Sequence, residues 1–336
     1  MKIIFCGGLS FGAIILEEMA NIVGLRPALV ICRTDKPKGR EMITSPSAVK
    51  MIAINNNLPV YHPKKDNEDL EKKIREIEPD LVIVAAYNRL IPKEVLEIPK
   101  YGFINVHPSL LPNWRGASPL QATILNGDKE TGVMIIKMDE IIDHGPIIAE
   151  RTINLTNPKI KFLELSDQLA HIGAELLIDV VPKLIEGSAL SKIQDDEKAT
   201  YTKIITKEDG RINWNNSAEQ IERQIRAYDP WPSAYTIISC EGDKYNGISL
   251  KKYNGISSEK YNGKTLKIFN SFVLKKMETG PSGSPGKTYL ATNDKIAVMC
   301  KDDYLIIDEL QIEGGKRMPA SDFLMGHKDF AGVMLI

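Results

Sequence analysis

The sequence predicts an α/β protein of two domains: a doubly wound domain with a largely parallel sheet, then a smaller all-β domain. Three observations carry this. Through residues 1–186, short apolar runs alternate with amphipathic helical patterns, the signature of βαβ units. After Pro230-Trp231-Pro232 the helical period disappears and short apolar runs alternate with Gly, Asn and Ser turns, as in a small barrel or sandwich. Between them, residues 187–210 are polar and turn-rich. They predict a linker, so the domains run 1–186 and 211–336.

Residues 2–6 are an apolar strand ending at Gly7-Gly8, followed by apolar Phe11, Ile14, Ile15 and Met19 at helical spacing. Ser10 is a candidate N-cap, and 27–32 form the second strand. This start has the look of a secretory signal, but Gly7-Gly8 interrupts the apolar run and Glu17-Glu18 follow at once, so strand, turn and helix is the reading. The turn lacks the GxGxxG spacing of a dinucleotide site.

Residues 33–45 are a polar loop carrying Arg33, Lys36, Lys38 and Arg40, in which Pro37 and Gly39 are expected to prevent helix or strand. It is long for a βα connection, which marks it as functional or mobile. Pro46 opens a helix over 47–56, with Ser45 as its expected cap. Further helices are expected over 66–78, 117–126, 161–185 and 216–228, the last capped by Asn216 or Ser217. Strands are expected over 80–86, 102–106, 132–138 and 146–153. After Asp80 the residues through 86 are continuously apolar, as in a central parallel strand covered on both faces. The barrel strands follow over 234–239, 265–274, 287–291, 295–300 and 304–312.

Composition excludes several classes. With 43% hydrophobic and 26% charged residues the chain is an ordinary globular one. No apolar run reaches the roughly 18 residues of a membrane span. Cys6, Cys32, Cys240 and Cys300 have neither metal-ligand nor disulfide-framework spacing; buried thiols in a reducing, cytoplasmic setting are expected. A net charge of −1 argues against a wholly basic nucleic-acid binder. Yet residues 244–276 hold eight Lys against the single acid Glu259, a local patch for an anionic partner or a solvated hairpin. Within it Lys-Tyr-Asn-Gly recurs at 244, 252 and 260. Asn-Gly is a hairpin-turn signal, and the repeat is read as a duplicated extension between two barrel strands, either extending a nucleic-acid contact or neutral.

The chemistry concentrates between Tyr101 and Ile148. Asn105 and His107 stand at a strand's carboxyl end, where such sheets bind ligands, and Asp143 follows His107 by 36 residues. An Asn amide can donate to a developing oxyanion, and a histidine can donate or accept a proton. A carboxylate beside the histidine orients it and favours its charged form. The set suits acyl transfer to an amine that the substrate brings; equally, Asn105 and His107 could simply end a strand. Ser109 has no GxSxG setting, which disfavours a serine hydrolase. His144, beside Asp143, is open as a ligand or a second acid, but no metal spacing accompanies it.

The stretches INVHPSLLPNWRGASPLQ and ETGVMIIKMDEIIDHGPI resemble the folate-dependent formyltransferases. The resemblance to the members that act on aminoacyl-tRNA runs further, through TDKPKGR, VAAYNRLIP, RINWNNSAEQIERQIRAYDPWPSAY and LQIEGGKRMPASDFLMGH. It implies a Rossmann-like domain followed by an OB-like β-barrel that binds tRNA. It implies transfer of a formyl group from 10-formyltetrahydrofolate, as co-substrate, to the α-amino group of initiator methionyl-tRNA; the alternative is an amino-sugar nucleotide as acceptor. By position it makes Asn105, His107 and Asp143 catalytic. It puts Ser109, Leu110, Leu111 and Pro112 along the folate pocket, the backbone near Arg89, Leu90 and Ile91 at the pterin edge, and Lys38 and Arg40 toward the tRNA. Neither a metal nor a membrane is implied, His144 receives no role, and a monomer is expected. The chain departs from the family at Ser10, where an acid is usual, and at Tyr201-Thr202-Lys203-Ile204, whose lysine is one place early, so little rests on Lys203.

Overall fold

The computed structural model describes residues 1–38, 43–63, 67–87, 89–239, 244–245, 248–249, 258–276, 283–292 and 294–336. The backbone forms two compact units: Met1–Thr123 with Asp128–Pro158 and Leu163–Ile204, and Ile205–Ile336 with Ile124–Gly127 and Lys159–Phe162. The polar segment expected as a linker therefore belongs to the first unit as far as Ile204.

In the first unit the elements are β1 (Ile3–Gly7), α1 (Ser10–Ala20), β2 (Leu29–Cys32), β3 (Lys36–Lys38), β4 (Ile43–Ser45), α2 (Ala48–Asn55), β5 (Val60–Tyr61), α3 (Asn67–Ile77), β6 (Leu81–Ala85), α4 (Lys93–Leu96), β7 (Phe103–His107), β8 (Arg115–Gly116), α5 (Pro119–Asn126), β9 (Glu130–Lys137), β10 (Ile147–Asn154), α6 (Phe162–Glu186) and β11 (Tyr201–Thr202). Seven strands form one sheet in the order β10-β9-β7-β6-β1-β2-β5. From β5 to β7 the pairing is parallel; β9 and β10 are antiparallel. This is the α/β architecture that the alternating pattern predicts. β1, β2 and β6 are buried at every residue, as strands covered on both faces must be.

Two glycines permit that covering. A Cβ on Gly12 of α1 would lie 2.6 Å from the Ala85 carbonyl oxygen, and one on Gly173 of α6 would lie 2.7 Å from Val106 Cγ1. On the opposite face Leu70, Ile74, Ile91 and Val95 pack with Ile4, Ile31, Val82 and Phe103.

Three local expectations are corrected. Residues 33–45 are not without strand: Lys36–Lys38 pair antiparallel with Ile43–Ser45, Pro37 lying opposite Thr44. A two-stranded ribbon leaves one edge of each strand without a ladder, so a proline's missing N–H is tolerated there. The cap of α2 is Ser47, whose hydroxyl accepts from Lys50 N at 3.2 Å, rather than Ser45. Ser10 is the first helical residue of α1; Leu9 takes the cap position without a side-chain bond.

The second unit contains α7 (Ala218–Tyr228), β12 (Ala234–Ser239), β13 (Lys244–Tyr245), β14 (Ile248–Ser249), β15 (Thr265–Leu274), β16 (Thr288–Thr292), β17 (Lys295–Met299), β18 (Tyr304–Ile312), β19 (Met318–Pro319), α8 (Ala320–Gly326) and β20 (Met334–Leu335). The order β16-β17-β18-β15-β12-β20 is antiparallel throughout. A further bridge from Lys287 to Met334 brings the two edges together, so the sheet is a nearly closed barrel, which removes exposed edges. Its interior holds Ile238, Leu266, Ile268, Ile296, Val298, Leu305 and Ile307, with Ile221 and Ile225 of α7 packed on them. α7 starts with a capping box between Ser217 and Gln220.

The three Lys-Tyr-Asn-Gly copies differ. In the third, Tyr261 is 1% exposed, donates its hydroxyl to Asp329 Oδ1 at 2.8 Å and meets Phe330 edge-on at 5.5 Å. That copy is part of the barrel core. In the first, Lys244 and Tyr245 pair antiparallel with Ser249 and Ile248. The second, 252–255, lies outside the described residues.

Among the described residues no helix is long and apolar enough to cross a membrane. Cys6, Cys32 and Cys300 are free and buried, and burial raises the pKa of each thiol. Cys240 lies outside the described residues.

Candidate active site

β7 ends the parallel part of the sheet, and its register sets the first two site residues. Val84 of β6 faces Asn105, and His107 faces Met134 of β9. Strand alternation puts Asn105 and His107 on one face. The loop after β9 then returns Asp143 to them. Asn105 Nδ2 donates to Asp143 Oδ1 at 3.2 Å, and His107 Nδ1 lies 3.5 Å from the same oxygen. Gly116 N donates to Asp143 Oδ2 at 2.8 Å. The structure thus assembles three residues that span 39 positions of sequence.

The surroundings make this an electrostatically tight group. The side chains of His107 and Asp143 are 4% and 13% exposed, and a carboxylate taken that far from water must be compensated by donors and positive charge. Asn105 and Gly116 supply the donors. On its other edge His107 Nε2 lies 3.2 Å from the Trp114 carbonyl oxygen. Both ring nitrogens therefore face acceptors. A neutral imidazole has one N–H to offer the two of them, whereas imidazolium has both.

Two residues adopt left-handed backbone to make these contacts: Trp114 at φ 62° and Asp143 at φ 48°. Asp is among the residues that tolerate this region. Gly116 has φ 108°, and a Cβ there would lie 2.6 Å from the Thr202 carbonyl oxygen. That close approach belongs to the parallel pairing of β8 with β11, Arg115 opposite Tyr201 and Gly116 opposite Thr202.

The SLLP loop folds back on the site. Ser109 is fully buried and donates to the Asn113 carbonyl at 2.7 Å. Leu110 and Leu111 pack against Met134, Ile136 and Ile147. The bond from Leu111 to Pro112 is cis, and Pro112 O accepts from Thr200 N. Beyond β6, Arg89 Nε donates to Asn67 Oδ1 at 3.0 Å. Leu90 is 72% exposed and Ile91 is buried. Lys38 belongs to the β3–β4 ribbon, its backbone opposite Ile43, and Arg40 lies outside the described residues.

His144 is not part of the trio. Its Nδ1 lies 2.6 Å from Asp139 Oδ2 and its Nε2 3.3 Å from Asp196 Oδ2. The Asp139 hydrogen bond above all, helped by Asp196, raises its pKa. Among the described residues no group of three or more His, Cys, Asp or Glu could hold a metal.

Several participants were not singled out in the sequence. Trp114 and Gly116 act through backbone atoms, which residue type does not announce. Arg115 and Gln194 are buried polar residues joined across 79 positions by hydrogen bonds of 3.1 and 2.8 Å. Gln194 sits in the polar stretch expected as a linker, where nothing in the local pattern marks it.

The chain matches the formyl transferase family over residues 1–181 and the formyl transferase C-terminal domain over residues 204–328. It is 36% identical to the methionyl-tRNA formyltransferase of Citrifermentans bemidjiense over 337 residues, covering 100% of this chain and 96% of that protein. With the methionyl-tRNA formyltransferase of Caldicellulosiruptor saccharolyticus it shares 37% identity, each covered over 100% of its length.

Among solved structures it resembles the N-formyltransferase from Helicobacter canadensis in complex with folinic acid and dTDP-3-aminofucose. There the TM-score is 0.59 at 18% identity, with 95% of this chain and 100% of that chain covered. It also resembles HypX from Aquifex aeolicus in complex with tetrahydrofolic acid, with a TM-score of 0.59 at 16% identity and 96% of this chain covered. This chain spans about half of that one, 47%. Identities this low show shared fold alone. The full-length relatives decide the family: this chain belongs to the methionyl-tRNA formyltransferases.

Proposed function

We propose that the protein transfers a formyl group from 10-formyltetrahydrofolate to the α-amino group of methionine on initiator methionyl-tRNA. The single observation that carries the reading is full-length identity of 36% to a methionyl-tRNA formyltransferase, through both domains. The site geometry is consistent with it. Attack of the amine on the formyl carbon gives a tetrahedral carbon with a developing oxyanion. Asn105 commits one amide N–H to Asp143 and has a second for that oxygen. His107 gives its Nε2 side to Trp114 and meets the oxyanion from the side it shares with Asp143. A donor so placed contributes about 2.7–4 kcal/mol in comparable sites. Asp143 keeps the imidazole oriented and assists removal of the amine proton, an effect of roughly 10²–10⁴-fold.

Ser109 to Pro112 and the backbone of Arg89 to Ile91 form the folate side of this reading, and Lys38 and Arg40 its tRNA side. Arginine suits that role because its planar guanidinium binds phosphate in two hydrogen bonds. The reading extends to a monomer acting in the cytoplasm, where thiols such as the buried Cys6, Cys32 and Cys300 stay reduced.

The test offers the purified protein 10-formyltetrahydrofolate with methionyl-tRNA, free methionine or an amino-sugar nucleotide. Formyl transfer to the tRNA alone is expected; transfer to the sugar and not to the tRNA would sink the proposal. Arg40→Ala should raise KM for tRNA and leave folate affinity unchanged; loss of both together contradicts the loop assignment.

A further inference from the structure

The Gln194 amide is fully engaged. Its Oε1 accepts from Arg115 Nε at 3.1 Å and Nη2 at 2.8 Å. Its Nε2 donates to the main-chain oxygens of Asp143 at 2.9 Å and Gly145 at 2.8 Å. The orientation follows from the chemistry of the partners. A guanidinium has only donors and a carbonyl oxygen only accepts, so a reversed amide would lose all four bonds. Arg115 is 1% exposed and is fixed in turn by Asp196 Oδ1 at 2.7 Å and the Tyr201 hydroxyl at 3.2 Å.

The two carbonyls that Gln194 holds are that of Asp143 itself, the left-handed residue of the turn, and that of Gly145, two residues on. On its other side that turn has no slack, because a Cβ on Gly145 would lie 1.7 Å from the Lys137 carbonyl oxygen. The loop is therefore held from one side by the end of β9 and from the other by the Gln194 amide on its main chain, with Asp196 on the His144 side chain.

We infer that Gln194, aligned by Arg115, is a positioning residue for Asp143: it holds the turn so that the carboxylate meets Asn105, His107 and Gly116 N together. The inference rests on the reading of Asp143 as catalytic. Gln194 touches no reacting atom in this account and acts through the Asp143 backbone. Its amide is specifically required. Glutamate at this position keeps a partner for Arg115 but sets a carboxylate against two carbonyl oxygens, and methionine, of similar length, holds neither side.

The experiment measures kcat and KM for formyl transfer to methionyl-tRNA with Gln194→Glu and Gln194→Met. Each is made in the wild-type chain and in Asp143→Asn, with melting temperature and tetrahydrofolate binding as checks of folding. In the wild-type background kcat should fall on the order of 10²-fold in both variants, the size that a displacement of about 1 Å at a reacting group produces. KM should stay unchanged, and neither substitution should lower kcat further once Asp143 is Asn. Wild-type kcat in the Gln194 variants beside a slow Asp143→Asn chain overturns the inference alone, as does an equal fall in both backgrounds. A fully active Asp143→Asn chain overturns the catalytic reading itself and the inference with it. If Gln194→Glu does not fold, the uncharged Gln194→Met decides.

Discussion

Replacing Asp143 by Asn tests the charge at the centre of the site while keeping its shape. In the structure Oδ1 receives Asn105 Nδ2 at 3.2 Å, Oδ2 receives Gly116 N at 2.8 Å, and His107 Nδ1 lies 3.5 Å away. An amide cannot satisfy both donors: either Asn105 or Gly116 N then faces an NH₂ group. The buried donor left unpaired costs about 1–3 kcal/mol, about one to two decades at about 1.4 kcal/mol per decade, and the loss of assistance to proton transfer spans roughly 10²–10⁴-fold. Single-turnover formyl transfer from 10-formyltetrahydrofolate to methionyl-tRNA should therefore slow by about 10³-fold, with tetrahydrofolate affinity retained. A rate within tenfold of wild type would refute the reasoning, since a carboxylate held in this geometry would then contribute little to the reaction.

Three further outcomes follow from the structure. Tyr261→Phe removes a buried hydrogen bond to a charged partner, worth about 1.5–3 kcal/mol; the urea midpoint should fall with kcat unchanged, and an unmoved midpoint contradicts a core role for the third repeat copy. Gly116→Ala forces a side chain into left-handed backbone at φ 108° and against the Thr202 carbonyl. The conformation alone costs about 1–2 kcal/mol, so both melting temperature and kcat should drop, because the same residue's N–H binds Asp143; a wild-type melt would contradict the close approach of β8 and β11. The clasp of His144 between Asp139 and Asp196, with Arg115 behind Asp196, has a definite pH sign. A raised histidine pKa means that the folded state binds the proton more tightly. The stabilisation is complete below the ordinary value of 6.5 and is lost as pH rises through the raised value. Chemical denaturation of wild type against His144→Gln should show a difference at acidic pH that closes at alkaline pH; a constant difference would show that the contact is not ionic.

Much of the fold was legible because periodicity reports burial. The continuous apolar run ending at Ala86 suited a strand covered on both faces, and the change of period after Pro232 marked the barrel. Errors arose where a local rule had more than one outlet. Pro37 excludes a central strand but not a two-stranded ribbon, and both Ser45 and Ser47 can cap a helix; backbone geometry chose Ser47. The repeat misled in another way. Three copies of one tetrapeptide look equivalent, yet the third supplies Tyr261 to the barrel interior because β15 follows it directly and fixes its register.

At the site, the sequence by itself determined which side chains are proposed to carry the chemistry. Asn105 and His107 share a face two residues apart on a strand, and the motif around Asp143 completes the set. Only the tertiary structure decided how they are held. The Trp114 carbonyl, the Gly116 N–H and the Gln194 amide act from backbone or from distant segments. Their contribution depends on distances of 2.8 to 3.2 Å, set by the packing of several chain segments at once. Such contacts have no local sequence signature, because any residue supplies a carbonyl and a glutamine is polar wherever it lies.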